Sequence, residues 1–531
     1  MRRLGLGITL LVTAVTGLRA QQTWDWVAPF ATGYARDIAT DADGNTYAVH
    51  RFSTNDTIPF AGLPWAEGTL GVIAKYDEFG ALVWSHSMHL AYFDHLALKG
   101  DTLYAVGHAG YGQFSFGGQS WNWPSTLGQA QALLLSAYDL AGSMAWTQLD
   151  TMIGGTDVFD IEVNDSGEIL MAMKFNGRVI WNGDTLLSNS SVPTVVKRNP
   201  GGGKRWFAQA YVSAKGAVNG VAALPDGGAV ITGYFQGDTC IFGSTVLTNG
   251  TFFIARVDAD GDFVWAKDGA RAWGVDVDPA TDDSLYLAGG FAFDSTDALA
   301  PFQLSTPVQD MFLAKLSYSG EFGWVHRSTS STDSAYCELF GLCVDPNNSA
   351  FVLGRGQHGV VVGVDTLIGT SIYAEKVSAQ GQHLWTARMD LGGVFSQSFL
   401  EAQGIGADAA GHAYISGGFN QNDLHYDGNV ISAPLDWGFT LFVARTDELS
   451  TEVVGESIID LDLFPNPTTG FVQLGNEISD GTATVRDMSG RFLLTGVRTG
   501  WLDIGYLADG VYFVQIARGH RIWSRKVVLA H

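Results

Sequence analysis

The chain has 531 residues, 46% of them hydrophobic, with 66 glycines against 14 prolines and only 16% charged residues. This composition excludes a disordered chain and fits many short strands joined by tight turns rather than long helices. The formal charge of −24 repels phosphate backbones, so nucleic acid is excluded as a partner; cations and solubility are favoured instead.

Residues 1–20 read as a secretory signal peptide: Arg2 and Arg3 supply the positive start, Leu4 to Leu18 the apolar stretch, and Ala20 the small residue before a cut. Loss of Arg2, Arg3 and Arg19 takes the charge to −27. The apolar stretch is shorter than the roughly 20 residues a spanning helix needs, and nothing later is comparable, so no transmembrane segment is expected.

From there a repeat governs the chain. Trp26, Trp84, Trp146, Trp206, Trp265, Trp324 and Trp385 are separated by 58, 62, 60, 59, 59 and 61 residues. Six of them follow a glycine four positions earlier: Gly80, Gly142, Gly202, Gly261, Gly320 and Gly381. A period near 60 suits a propeller blade better than a helical solenoid. Each unit holds an inner strand (Asp37 to Thr40; Asn219 to Ala223), a polar turn, and a second apolar strand (Thr46 to Val49; Ala229 to Gly233; Ala350 to Gly354). A variable segment of about 20 residues follows, then a regular third strand (Val72 to Tyr76; Phe253 to Val257; Phe312 to Leu316; Phe442 to Arg445). The glycine marks a hairpin residue with positive φ, and the tryptophan on the return strand is expected to pack between blades. Lys75, Lys197, Arg256, Lys315 and Lys376 recur five residues before that glycine; they read as scaffold, with stems over apolar surface and heads in water.

The last third strand, Val443-Ala444-Arg445, has no tryptophan return strand after it, whereas Gln22 to Val27 at the start is such a strand without a blade. The economical reading is ring closure, giving an all-β, seven-bladed β-propeller over residues 21–446 whose last blade is completed by the N-terminal strand. Cys240, Cys337 and Cys343 are too few for a disulfide framework; the latter two are about 20 Å apart on one strand and are expected to be small packed side chains. The region resembles the secreted bacterial β-propeller repeats of the Bacteroidetes type. Typical matches are Cys240 to Thr248 running into Phe252 to Arg256, then Gly261-Asp262-Phe263-Val264-Trp265. That resemblance implies the fold and is nearly silent on activity.

Residues 447–458 read as a linker, and 459–531 change character: seven acids and seven Lys or Arg balance from 457 onward. Alternation in Phe471 to Leu474 and Val511 to Val514 predicts a small β-sandwich, with Asp509-Gly510 as a hairpin signal. Leu463 to Gly470, Val485 to Arg491, Gly510 to Ile516 and Arg525 to Leu529 occur in order. This segment resembles the type A C-terminal sorting domain of the type IX secretion system, with Pro465, Asn466, Pro467, Gly510, Tyr512, Val514 and Lys526 as its signal residues. The resemblance implies recognition by the translocon, removal by a sortase-like peptidase within the linker, and attachment to surface lipopolysaccharide.

Chemistry is sparse. No nucleophile elbow, phosphate loop or H-E-x-x-H motif occurs. His86, His89 and His95 are the closest histidines, but His86 and His89 fall on opposite faces of a strand, so no metal site is expected. No cofactor is expected; calcium is the alternative, because Asp258-x-Asp260-Gly261-Asp262 and Asp41-x-Asp43-Gly44-Asn45 resemble fragments of calcium loops. Both lie on repeat turns and lack the bidentate Glu. Trp65, Trp121, Trp123, Trp181 and Trp437 stand in variable segments outside the tryptophan register, where they either stack on a glycan or protein ligand or fill gaps at blade edges. The leading expectation is an exported, non-enzymatic binding or adhesion module at the cell surface or in the medium. The alternatives are a polysaccharide-degrading hydrolase or lyase with paired carboxylates at the channel mouth, and a structural surface-layer component.

Overall fold

The structure is a computed structural model. It describes residues 22–52, 68–123, 131–181, 184–248, 250–269, 271–330, 332–367, 369–391, 400–420, 422–432 and 440–447, and in the C-terminal part 463–464, 466–474, 482–486, 492–498, 501–518 and 521–531. Every regular element among these residues is a β-strand. The chain divides into two compact units, Met1–Glu448 and Leu449–His531.

The larger unit repeats one antiparallel order. In the first repeat Tyr34–Thr40 pairs with Thr46–Arg51, which pairs with Thr69–Tyr76, which pairs with Leu82–His89. The same order recurs in Lys215–Ala223, Ala229–Gln236, Phe252–Val257 and Phe263–Gly269. Middle strands are buried on both faces, as in Ala48, Val49, Ile73 and Ala74 or Val230, Ile231, Ile254 and Ala255, which is why they read as continuous apolar runs. In the last repeat Leu400–Ala407, Ala413–Phe419 and Thr440–Thr446 are followed in the sheet by Trp24–Thr32, whose ladder runs from Trp24 opposite Thr446 to Thr32 opposite Thr440.

The tryptophans join one repeat to the next. Trp26, Trp84, Trp206, Trp265 and Trp324 donate their indole N–H to the carbonyls of Glu78, Leu140, Ala259, Tyr318 and Ala379, at 2.8–3.2 Å. Each acceptor stands two residues before the turn glycine of the following repeat. All six glycines have φ between +79° and +96°. A Cβ on any of them would also lie 2.7–3.0 Å from the preceding tryptophan ring. Glycine is thus required twice over, by the left-handed turn and by the ring lying on it. Gly261→Val is expected to cost about 3 kcal/mol from strain and overpacking, whereas Asp260→Val on the exposed turn stays within about 0.5 kcal/mol; urea unfolding midpoints measure the difference.

Two expectations need revision. The recurring basic side chains do not hold their heads in water. Lys197 Nζ is 2.6 Å from Glu168 and donates to the Gly227 carbonyl; Lys315 and Lys376 reach Asp282 and Asp345 at 2.7 and 3.0 Å; Arg256 binds Asp226. The Nζ atoms of Lys315 and Lys376 also lie over the rings of Tyr286 and Phe351, 5.1 and 4.5 Å from the centroids, so the heads serve as ionic and cation–π ties at the turns. The variable segments are not plain loops either. Gly112–Phe116 with Gln119–Trp123, Cys240–Phe242 with Thr245–Leu247, and Leu424–Tyr426 with Asn429–Ile431 are hairpins, and each bonds to the end of the preceding repeat. They cover sheet edges that would otherwise stay unpaired. All three cysteines are free; Cys240 and Cys337 are buried and Cys343 is half-buried.

In the smaller unit Leu463–Phe464, Phe471–Leu474 and Trp501–Asp503 form one sheet, and Phe492–Arg498, Thr482–Arg486, Gly510–Arg518 and Arg521–Leu529 another. Val472, Leu502, Ile504, Val485, Val514 and Val527 are buried in this unit. Gly510 begins a strand instead of turning a hairpin with Asp509, and Asp509 Oδ1 accepts a hydrogen bond from the His531 amide at 3.0 Å.

Candidate functional site

The inner strands of the larger unit, from Arg36 on Tyr34–Thr40 to Ala407 on Leu400–Ala407, line one cavity of about 340 Å³. Each inner strand carries an irregularity in its ladder, as between Ala35 and Asp37, Val158 and Asp160, Gly274 and Asp276, or Leu339 and Gly341. The extra residue at these points supplies part of the lining: Arg36, Phe159, Asn219, Val275 and Phe340. Arg36 is held by Asp94 at 2.6 Å; Lys174 and Arg355 lie 5.6 Å from the rings of Phe159 and Phe340.

Immediately after each irregularity in alternate repeats stands an aspartate, and its two oxygens tie one repeat to the next. Asp37 accepts from its neighbour Ile38 N at 2.8 Å and from Leu96 N of the following repeat at 2.9 Å. Asp160 does the same with Ile161 and Val221 at 2.7 and 2.8 Å, and Asp276 with Val277 and Leu342 at 2.8 and 3.1 Å. Glycine receives the neighbour: a Cβ on Gly220 would come within 2.9 Å of Asp276 Oδ1, and one on Gly404 within 2.8 Å of Asp37 Oδ1. Burial pushes the Asp276 carboxyl up to about 7, with the two backbone N–H groups opposing it. Burial, then the charge of Asp276, raises Asp160 as well.

Two more carboxyls line the cavity without this double tie. Burial raises Glu162 to about 7, with Lys99 opposing, and burial followed by the charge of Glu162 raises Asp278. His95 adds an imidazole 3.6 Å from Asp37. Carboxyls raised in this way can donate as well as accept hydrogen bonds, which suits a polar ligand and also suits general acid chemistry. Sequence reasoning picked out none of these carboxylates as site residues, because chance carboxylate pairs are common in so acidic a chain. A signal was present: Asp37, Asp160 and Asp276 each precede a β-branched residue and stand 47, 46 and 48 positions before Trp84, Trp206 and Trp324.

The aromatic candidates do not converge. Trp121 stacks on Phe114 and Phe116 at 5.4 and 4.6 Å between centroids, within the hairpin that also carries half-buried Trp123. Trp181 is only 1% exposed and packs against Phe207 and the Arg198 guanidinium, so its expected role as a ligand platform is corrected to core packing. Trp65 and Trp437 lie outside the described residues. His86 and His89 border a second cleft, of about 1030 Å³, while His95 is in the cavity. Among the described residues no group of three or more His, Cys, Asp or Glu fits a metal ion. In the calcium-like turns, Asp41 Oδ1 accepts from the amides of Asp43 and Asn45, and Asp258 Oδ1 from those of Asp260 and Asp262. Asn164 and Asn199 make the same bonds from the same turn position, so turn geometry accounts for the pattern.

Within the smaller unit Asn466 donates to the Lys526 carbonyl at 2.8 Å and accepts from Val528 N at 2.9 Å, fastening the first loop to the last strand. Tyr512 donates to the Ala508 carbonyl at 2.6 Å, Val514 is buried, Gly510 opens the strand that carries both, and Lys526 and Pro467 are exposed. Pro465 lies outside the described residues.

Residues 462–530 match the secretion system C-terminal sorting domain family. The C-terminal segment is a type IX sorting domain, and it points to export to the cell surface or medium. Part of the chain is similar to an uncharacterized WD repeat-containing protein of Acanthamoeba polyphaga mimivirus, 22% identical over 297 residues. That match covers 43% of this chain and 21% of the relative, so the chain spans about a fifth of the curated relative it matches. Similar solved structures include YCF48 bound to a peptide (10% identity, TM-score 0.37, covering 82% of this chain and 99% of that one). The WD40 domain of Neurospora crassa Pan2 is also similar (10% identity, TM-score 0.31, covering 60% and 86%). No described helix is long and apolar enough to cross a membrane.

Proposed function

We propose that the larger unit is a seven-bladed β-propeller closed by the N-terminal strand, and that it is an exported binding or adhesion module displayed by its sorting domain. The observation that carries this reading is the use of Asp37, Asp160 and Asp276 as ties between backbone amides, which makes the cavity a rigid frame. Its lining offers rings at Phe159 and Phe340, an amide at Asn219 and a cation at Arg36, a set that suits stacking and hydrogen bonding to a glycan. Trp121 and Trp123 are the second candidate platform. The partners of export are the type IX translocon and a sortase-like peptidase, with surface lipopolysaccharide as anchor.

The enzymatic alternative draws on Glu162 and Asp278, whose raised carboxyls are suited to protonate a leaving group. A glycan array probed with the full exported protein decides between the two. Retention of a glycan that falls at least tenfold in Phe340→Ala supports binding; turnover of a polysaccharide lost in Glu162→Gln replaces it with the enzyme. For export, deleting residues 459–531 in a host with a type IX system is expected to leave the protein in the periplasm; surface display of the truncated chain refutes the sorting role.

A further inference from the structure

A buried polar joint connects the fifth and sixth repeats. His326 on Phe322–Arg327 places Nε2 2.8 Å from Oε1 of Glu375 on Thr370–Val377, and His383 at the start of His383–Leu391 places Nδ1 2.8 Å from the same oxygen. The Glu375 side chain is 0% exposed, its Oε2 is buried without a hydrogen-bond partner, and the two histidines are about one-tenth exposed. With a proton on each of the two facing ring nitrogens, that oxygen accepts from both. A protonated Glu375 would leave its hydroxyl on the unpartnered Oε2, which is costly in a dry site. An ionised Glu375 between two neutral rings would bury an uncompensated charge, which costs several kcal/mol. A carboxylate facing one imidazolium and one neutral imidazole avoids both penalties.

We propose that this joint is an acid-strengthened clasp: His326 and His383 hold one proton against Glu375, and its loss as pH rises loosens the fifth repeat from the sixth. The surrounding groups do not supply a substitute charge. On Tyr336–Val344 the Cys337 thiol, 3.1 Å from the Tyr373 hydroxyl of Thr370–Val377, is pushed up to about 12 by burial, and burial raises Tyr373 too. On Phe302–Ser317 Asp310 is bonded to the hydroxyls of Thr306, Ser328 and Ser330. Lys376 is engaged with Asp345, and Arg388 and Asp390 on His383–Leu391 pair with each other at 3.5 Å. Burial lowers His326, but the hydrogen bond and charge of Glu375 outweigh it and leave the imidazole raised. A raised histidine stabilises the folded state fully below its unfolded value, about 6.5, and the contribution is lost as pH rises through the folded value. Burial is likewise outweighed at Glu375, where the two histidine bonds leave the carboxyl lowered, so the acid limb lies below the ordinary carboxylate range.

Amide hydrogen exchange on the full chain between pH 6 and 9, corrected for the intrinsic rate, tests the clasp. Opening of Phe322–Arg327 and Thr370–Val377 is expected to increase by up to about tenfold per pH unit above pH 6.5 before levelling off. Amides of Lys204–Gln209 should show no such rise, and Glu375→Gln should abolish it. An equal slope in wild type and Glu375→Gln overturns the proposal. Should that variant fail to fold, the NMR titration of His326 in the wild type decides: a midpoint above the ordinary imidazole value supports the clasp, and one at or below it refutes it.

Discussion

Deleting residues 21–30 is expected to abolish the cooperative unfolding transition of the larger unit. The strand Trp24–Thr32 is the outer partner of Thr440–Thr446, where Leu441, Phe442 and Val443 are fully buried. With it go the bonds from Trp24 to the Arg388 carbonyl at 3.0 Å and to Asp427 at 2.6 Å, from Trp26 to the Glu78 carbonyl at 2.9 Å, and from Arg445 to Asp25 at 3.1 Å. Loss of a buried tryptophan alone costs about 3–5 kcal/mol. Adding the ladder and the exposed edge consumes most of the 5–15 kcal/mol by which an ordinary domain is stable. Calorimetry of the deleted and full chains reads the result; identical transitions would show that the N-terminal strand is dispensable.

Asp150→Ala is expected to destabilise the same unit by about 3–5 kcal/mol. Asp150 and Arg198 bridge the second and third repeats at 2.5 Å with side chains 3% and 1% exposed. Arg198 also donates to the Gly202 carbonyl at 2.9 Å and lies 5.8 Å from the Trp181 ring, so it cannot leave for water when its partner is removed. Burial raises the Asp150 carboxyl despite the adjacent guanidinium, which means desolvation outweighs the attraction of the pair. The double variant Asp150→Leu with Arg198→Met should therefore recover most or all of the loss. Chemical denaturation of both variants measures it, and a double variant as unstable as Asp150→Ala would show that the pair itself holds the joint.

What was legible in the chain follows the physics of each signal. Strands with both faces covered announce themselves as apolar runs, and the turn glycines with their tryptophans announce the period because both turn geometry and ring packing forbid substitution. The end strands were legible by arithmetic alone, since a third strand without a return strand at one end matched a return strand without a third at the other. Side-chain partners were not. Whether Lys197 reaches water or Glu168 depends on a turn contributed by an earlier strand, and Trp181 is buried because a hairpin folds it onto Phe207. The cavity residues were the least legible. Asp37, Asp160 and Asp276 owe their place to a one-residue irregularity in the ladder, which composition does not reveal, and their partners are backbone amides with no residue-specific signature.

The pairing of Trp24–Thr32 with Thr440–Thr446 also sets a schedule. Arg445 and Asp25, which meet across it, are 420 residues apart in the chain. Asp25 must therefore wait for a partner made 420 positions later, and contacts so distant in sequence form slowly. That seam is therefore expected to be among the last contacts of the larger unit to form.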